Sequence, residues 1–201
     1  MSRYSEYDSY LDPTSGVLKN RFGIRDAAQL EVAEADLAAE RSRELSLKPL
    51  EGNFDLAHLQ AIHHYLFRDL YEWAGQLRTV DISKDGSVFA HYAYLYSSAT
   101  QIFKKLADER ALAGLNAGDF SVRAAYYFAE LNALHPFREG NGRTQREFLS
   151  HLGHANGYYL AWEGLKQHEM TEASIESFAG ETSKLTGLIH GILNRLAENA
   201  N

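Results

Sequence analysis

Apolar residues recur every three or four positions over most of this 201-residue chain, and that period restricts the fold more than any other feature. Such spacing places apolar side chains on one face of an α-helix. The clearest stripe, between 119 and 134, consists of Phe120, Ala124, Tyr127, Phe128, Leu131 and Leu134. A second stripe, between 55 and 73, consists of Leu56, Leu59, Ile62, Leu66 and Leu70. The pattern predicts a mostly α-helical fold.

Helix start and stop signals place the remaining helices. The stretch 25–47 is rich in Ala, Leu and Glu, which are the best helix formers. Asp26 can cap this helix, and Lys48-Pro49 closes it because proline disfavours helix at the preceding residue. Further helices are predicted over 97–112, from Asn141-Gly142-Arg143 to Asn156-Gly157, over 166–178 and over 181–196. Residues 1–24 have no clear period, so we expect a mostly irregular lead-in to a single domain spanning 1–201.

One β-hairpin interrupts the helical pattern. Leu77–Ile82 and Ser87–Tyr92 read as short strands around Lys84-Asp85-Gly86, and an Asp-Gly pair between β-formers is a strong hairpin signal. No other β element is predicted. The expected architecture is therefore a helical bundle with one short hairpin.

Composition and charge narrow the possible functions. The chain has no cysteine, which excludes disulfides, thiolate metal sites and cysteine nucleophiles. A net charge of −7 argues against binding nucleic acid, although a few arginines in one pocket can still bind a small phosphate ligand. No run of 18 apolar residues and no signal peptide occur, so we expect a cytoplasmic protein without a membrane partner.

The segment His135–Arg146, HPFREGNGRTQR, carries the densest group of chemically useful side chains. His135-Pro136 ends one predicted helix, and glycines open the next. A helix N-terminus presents unpaired N–H groups and a partial positive charge, and glycines let a phosphate approach the backbone. Arg143 and Arg146 are three apart and share a helix face. The segment is typical of a polyphosphate site.

Three other residues of this loop add to the interpretation. Glu139 is its acid, and a carboxylate beside a polyphosphate is the usual way to hold Mg²⁺. His135, at the mouth of such a site, is suited to take a proton from an attacking hydroxyl. Phe137 is expected to anchor the loop to the core.

These residues match in full the signature H-P-F-x-[D/E]-G-N-G-R-x-x-R of Fic domain proteins. The order of the helices and the hairpin also resembles that family, over essentially the whole chain. The resemblance implies a Fic fold, a helical bundle with a hairpin flap. It further implies transfer of AMP from ATP to a hydroxyl side chain of a target protein, with release of pyrophosphate.

The resemblance implies a role for each charged position of the signature. His135 would be the catalytic residue that deprotonates the target Tyr, Ser or Thr hydroxyl. Glu139 would hold Mg²⁺ against the α- and β-phosphates of ATP. Arg143 would contact the β-phosphate and Arg146 the γ-phosphate.

The resemblance also implies roles for the small residues and for the hairpin. Asn141 and the backbone N–H groups around Gly140 and Gly142 would stabilise the charge that develops on the α-phosphate. The flap would pair with an extended segment of the target protein, through main-chain bonds that demand little of its sequence. The flap residues expected to dock the target are Thr79, Val80, Asp81, Ile82, Ser87, Val88 and Phe89.

Three other activities stay open at this point. A relative of the family transfers the γ-phosphate and carries lysine where this chain has Gly142, so glycine argues against a kinase. Glu147, His151 and His154, at i, i+4 and i+7, could hold a metal for hydrolysis, although their spacing is not that of H-E-x-x-H. A binding module without catalysis would use the flap alone, but the intact signature argues against it.

Many Fic enzymes are restrained by a helix with the pattern [S/T]-x-x-x-E-[G/N], whose glutamate pairs with the second arginine. Glu51-Gly52 has Leu47 four residues earlier, and Glu198-Asn199 has Asn194, so neither fits. The resemblance then implies a toxin inhibited by a separate small antitoxin protein. A host-directed bacterial effector with the same chemistry is the alternative.

Overall fold

The computed structural model describes residues 8–84 and 87–196. The helices in this part of the chain are α1 (Ala27–Leu47), α2 (Leu56–Phe67), α3 (Leu95–Asp108), α4 (Ala117–Leu134), α5 (Asn141–Ala155), α6 (Gln167–Phe178) and α7 (Ser183–Ile192). Two short antiparallel strand pairs join β1 (Ser83–Lys84) to β2 (Ser87–Val88), and β3 (Tyr158–Leu160) to β4 (Leu193–Arg195). The predicted mostly α fold with a hairpin is confirmed. Within these residues, no helix is long and apolar enough to cross a membrane.

Helix α4 lies at the centre of the bundle and packs against α3, α5, α6 and α7. Its predicted apolar stripe is buried, and Phe120 and Ala124 are fully enclosed. The loop 135–140 leaves the C-terminal end of α4 and leads directly into α5. The signature therefore joins two central helices, whose packing fixes both of its ends.

The helix starts follow the capping chemistry of the sequence. Asp26 caps α1 as predicted, because its side chain accepts a hydrogen bond from the Gln29 N–H. Asp55 caps α2 in the same way, from the His58 N–H. The predicted end of α2 at Trp73 is wrong: the helix ends at Phe67, whose carbonyl accepts the N–H groups of both Leu70 and Tyr71 in a turn.

The prediction of a single β element is also wrong. Strand β4 takes the residues that follow Ile192, so α7 ends there rather than continuing to 196. It pairs with β3, directly after α5. Each strand has three residues, which is too short for a recognisable period in the sequence.

The hairpin strands are shorter than the predicted ranges 77–82 and 87–92. The N–H groups of Arg78 and Ala90 bond to the carbonyls of Pro136 and Ala133, and so are not available for a ladder between the two flap segments. Tyr92–Tyr94 forms a 3₁₀ turn. The predicted Asp85-Gly86 turn lies outside the described residues.

The lead-in is irregular over 8–24, as predicted, but it is packed against the core. Tyr10 is buried and meets the Trp73 ring edge-on, with 5.4 Å between ring centroids. Asp8 forms a buried ion pair with Arg138 of the signature loop, at 2.8 Å from Nη2. The start of the described chain thus supports the loop.

Candidate active site

His135 occupies the C-terminal cap of α4 in a left-handed conformation, with φ 46° and ψ 62°. Its Nδ1–H donates to the carbonyl of Asn132 at 3.2 Å. That bond places the lone pair of a neutral imidazole on Nε2, which is the tautomer a general base needs. The Phe89 ring stacks on the imidazole, with 3.8 Å between centroids, and fixes its plane.

A cleft of about 280 Å³ is lined by the predicted residues. This volume is close to the lower end of the range for small-molecule pockets, which begins at roughly 300 Å³. One wall carries the signature residues His135, Glu139, Gly140, Asn141, Gly142, Arg143 and Arg146. A second wall, from α6, consists of Gln167, Met170, Thr171, Ser174, Ile175 and Phe178. Sequence reasoning did not identify this second wall, because the weak helical pattern over 166–178 gives no sign of what it faces.

The loop is braced by its own side chains. The Asn141 carboxamide accepts from the Phe137 N–H at 2.9 Å and donates to the Phe137 carbonyl at 2.8 Å. Phe137 is buried, as expected of an anchor. The Asn141 side chain therefore shapes the loop, which leaves one carboxamide hydrogen and the unpaired N–H groups of the first turn of α5 for an anion.

The two loop glycines have different reasons to be glycine. Gly140 has φ +77°, and a Cβ there would lie 2.4 Å from the Phe67 ring, so both backbone and packing demand glycine. Gly142 has no neighbour within 4 Å of a Cβ position and borders the cleft. The space beside Gly142 therefore belongs to the cleft.

The Glu139 side chain lines the cleft, and its backbone carbonyl is held by a hydrogen bond from His63. Its Oε1 accepts from the Gly140 N–H at 3.0 Å. His63 accepts from the Gly75 N–H on Nδ1 at 2.7 Å, so its Nε2 carries the proton and donates to the Glu139 carbonyl at 3.0 Å. Burial lowers the pKa of His63 to about 3, which keeps the imidazole neutral. Sequence reasoning missed His63, whose position beside Ile62 in an apolar stripe marks it as buried.

The two arginines have contrasting surroundings. Arg143 forms an ion pair with Glu34 of α1, and the Tyr71 hydroxyl donates to the other Glu34 oxygen. Burial and the neighbouring Glu139 raise the pKa of Glu34. Sequence reasoning missed Glu34, although it lies four residues from both Leu30 and Ala38, which are buried on the same helix face.

Arg146 is half-buried, and no carboxylate of the described residues lies within 4.0 Å of its guanidinium. Burial and the charge of Arg143 lower its pKa. A cation in this situation attracts an anion, because desolvation without a counter-charge is unfavourable. The side of the cleft near Arg146 is accordingly suited to a phosphate or a carboxylate.

The flap residues do not all face outward as the docking prediction requires. Phe89 is buried against His135 and belongs to the cleft, and Thr79 is bonded to the Tyr10 hydroxyl at 3.3 Å. Asp81 pairs with His91 and accepts the Tyr92 N–H, so it holds the flap together. Docking of a target by Phe89 stays a prediction, and its ring is buried against His135 in this structure.

The other flap residues lie nearer the tip. Val88 is largely exposed and Ile82 is half-buried. The Val80 carbonyl is bonded within the protein, to Arg78. Ser87 pairs with Lys84 in the two-residue ladder. Strand addition at the flap stays a prediction.

The alternative metal site on α5 does not form. Glu147 and His151 are buried beside each other at 3.4 Å, but His154 points to solvent. Ser42 donates to Glu147, and His151 meets the His58 ring, so the pair belongs to the packing of α1, α2 and α5. Across 8–84 and 87–196, no group of three or more His, Asp or Glu side chains is placed to hold a metal.

Comparisons with known proteins identify the family. The Fic/DOC family model matches residues 53–152. The chain is 50% identical over 192 residues to protein adenylyltransferase VbhT of Bartonella schoenbuchensis, covering 96% of this chain and 40% of that protein. It is 35% identical to the Escherichia coli protein named "Probable protein adenylyltransferase Fic", covering 96% of this chain and 95% of that one.

Solved structures give the same result. The N-terminal Fic domain of a VirB-translocated Bep effector of Bartonella quintana, with bound ADP, has a TM-score of 0.89 and 31% identity, covering 94% of this chain and 95% of that one. BepC of Bartonella tribocorum, with bound AMPPNP, has a TM-score of 0.88 and 30% identity, covering 92% and 96%. Both the sequence and the structure thus place the chain in the Fic/DOC family.

Proposed function

We propose that this chain is a protein adenylyltransferase, which transfers AMP from ATP to a Tyr, Ser or Thr hydroxyl of a target protein and releases pyrophosphate. The observation that carries the proposal is the cleft itself, where an imidazole with its lone pair on Nε2 shares one wall with a helix N-terminus and two arginines. Relatives that the chain covers almost completely are named for this activity.

The reaction follows from the roles that these groups can take. The target hydroxyl loses its proton to Nε2 of His135 as its oxygen attacks the α-phosphorus, and the bond from that phosphorus to the bridging oxygen of pyrophosphate breaks. The first-turn N–H groups of α5 stabilise the charge on the α-phosphate oxygens. Arg143 and Arg146 hold the departing phosphates.

The apolar wall of α6 is the natural place for the base of the nucleotide. Met170, Ile175 and Phe178 line the same cleft as the two arginines. A purine needs apolar contact on its faces, whereas the phosphates need the charged wall. ATP would therefore lie across the cleft with its base against α6 and its phosphates against α5.

The residues of the loop fit a magnesium ion. Glu139 provides one carboxylate at the edge of the cleft, and Mg²⁺ is usually bound by one or two carboxylates together with substrate phosphates and water. When bound, the ion would neutralise charge on the phosphates. Glu139 is the residue that would hold it.

Parallel incubations of a cell lysate with α-labelled and γ-labelled ATP test the reaction. Wild-type protein should attach the α-label, but not the γ-label, to a protein in the lysate. His135→Ala should lose labelling by roughly 10²–10⁴-fold while still binding ATP. His154→Ala, which changes an exposed histidine of α5, is the matched control and should label normally.

The reverse pattern of label would replace this proposal with phosphorylation. The open space beside Gly142 argues against that reading, because no side chain there alters the pose of the phosphates. Normal labelling by His135→Ala would remove the base from the mechanism.

We further propose that a small separate protein restrains the enzyme, as in a toxin and antitoxin pair. The support is the half-buried Arg146, which has no carboxylate partner among residues 8–84 and 87–196. A glutamate supplied by the partner would form a charge-assisted pair where the γ-phosphate binds, and such bonds are about twice as strong as neutral ones. Glu34 of α1 pairs with Arg143 instead.

Expression in bacteria tests this restraint. Wild-type protein alone should slow growth, His135→Ala should not, and co-expression of the neighbouring small open reading frame should restore growth. Loss of that rescue on removing the partner's candidate glutamate would support the pairing with Arg146. Normal growth with wild-type protein alone would favour a host-directed effector, the kind of protein that the Bartonella structures are named as.

A further inference from the structure

Arg78 has a buried guanidinium that is bonded to four backbone carbonyls. Its side chain is fully enclosed. Nε donates to the His135 carbonyl at 2.8 Å and Nη1 to the Val80 carbonyl at 2.7 Å. Nη2 donates to the Ala90 carbonyl, and to the Leu134 carbonyl at 3.3 Å. Enclosing a charged guanidinium is unfavourable unless it is hydrogen-bonded and paired, and here these carbonyls satisfy its donors while Asp81 Oδ1 lies 3.7 Å from Nη1.

The four carbonyls belong to two separate units of the site. Leu134 and His135 form the C-terminal end of α4, where a cation also meets the negative end of the helix dipole. Val80 and Ala90 flank the flap, one before β1 and the other after β2. One guanidinium therefore joins both ends of the flap to the residue that carries the imidazole.

Other contacts join the same two units as the Arg78 guanidinium, which we call the Arg78 clamp. The Arg78 N–H donates to the Pro136 carbonyl at 2.9 Å, and the Ala90 N–H to the Ala133 carbonyl at 3.1 Å. Phe89, next to Ala90, stacks on the His135 ring. The flap ends and the signature histidine thus share one set of hydrogen bonds.

We infer that Arg78 is a positioning residue, which holds the flap and His135 as one rigid unit so that a docked target presents its hydroxyl to the imidazole at a fixed distance. This inference rests on the proposed function. Its consequence is specific, because a misplacement of about 1 Å between reacting groups lowers a rate by roughly 10²-fold.

The nucleotide side of the cleft has its own supports and does not depend on Arg78. His63 holds the Glu139 carbonyl, and Asn141 holds Phe137. Loss of Arg78 should therefore impair transfer to the target while leaving ATP binding intact. A residue that only stabilised the fold would reduce both in the same proportion, through the folded fraction.

The test is Arg78→Lys, which keeps the charge but has a single nitrogen in place of the fork. AMP transfer should fall on the order of 10²-fold, whereas the Kd for ATP should stay unchanged. The matched control is Arg123→Lys in α4, which breaks a partly buried bidentate ion pair with Glu109. This control should leave both quantities unchanged. Equal loss of binding and transfer in Arg78→Lys, or no loss of transfer, would overturn the inference.

Amide hydrogen exchange provides a readout that needs neither the reaction nor a stable variant. In wild-type protein, the amides of Arg78, Ala90 and His135 should open together, as one cooperative unit. Independent and much faster exchange at Arg78 and Ala90 than at His135 would overturn the coupling. Absence of α-label transfer by wild-type protein, with cooperative exchange intact, would instead refute the proposed reaction and leave the clamp standing.

Discussion

Replacing the two loop glycines one at a time should separate a structural glycine from a functional one. Gly140→Ala places a Cβ at φ +77° and 2.4 Å from the Phe67 ring. The left-handed backbone costs an L-residue about 1–2 kcal/mol, and overpacking a core costs about 1–3 kcal/mol. The free energy of unfolding should therefore fall by about 2–5 kcal/mol.

Gly142→Ala should behave in the opposite way. Its Cβ meets nothing within 4 Å, and alanine in a helix is more stable than glycine by about 0.5–1 kcal/mol. Stability should be equal or slightly higher, yet AMP transfer should fall because the methyl group enters the cleft beside the phosphates. Urea unfolding gives the two free energies, and α-label transfer gives the activities. A stable Gly140→Ala, or a destabilised Gly142→Ala, would contradict these roles of the two glycines.

Three further predictions concern the supports of the site. His63 has a pKa lowered to about 3, so below the ordinary value of 6.5 the unfolded state binds more protons than the folded state, and stability should fall as pH drops from 6.5 towards 3, by at most about 1.4 kcal/mol per pH unit. Urea titrations should show a shallower dependence of stability on pH in His63→Gln than in wild type, and identical slopes would exclude His63 as the cause of that dependence. Asp8→Ala removes the carboxylate from the buried ion pair with Arg138 and should lower the free energy of unfolding by up to about 3–5 kcal/mol, which thermal or urea unfolding would detect. Glu139→Gln should keep the fold but require more Mg²⁺ for transfer; a magnesium dependence like that of wild type would remove Glu139 from the metal site.

The elements that sequence predicted well are those whose signals are local. The α4 stripe and the Asp26 cap each depend on residues within a few positions, and the structure has both as expected. The signature loop was equally accessible, because its residues are consecutive and its chemistry is specific. Family membership could accordingly be predicted before any coordinates.

The residues that sequence missed act across long separations in the chain. Glu34 meets Arg143, Arg78 meets His135, and nothing in the local pattern pairs them. Glu34 carried a partial signal, since it lies on the buried face of α1. A buried position does not identify its partner, which only the packing of the bundle supplies. The same limit applies to β3 and β4, whose pairing joins residues far apart in sequence.

In the proposed reaction, ATP is split between its α- and β-phosphates and its AMP half ends on a protein hydroxyl. Measuring the products in one reaction with target lysate tests it most directly, by quantifying protein-bound AMP and free pyrophosphate together. Equal amounts of the two are expected with wild-type protein, and neither with His135→Ala. Release of ADP with phosphate on the protein, or pyrophosphate without protein-bound AMP, would contradict it.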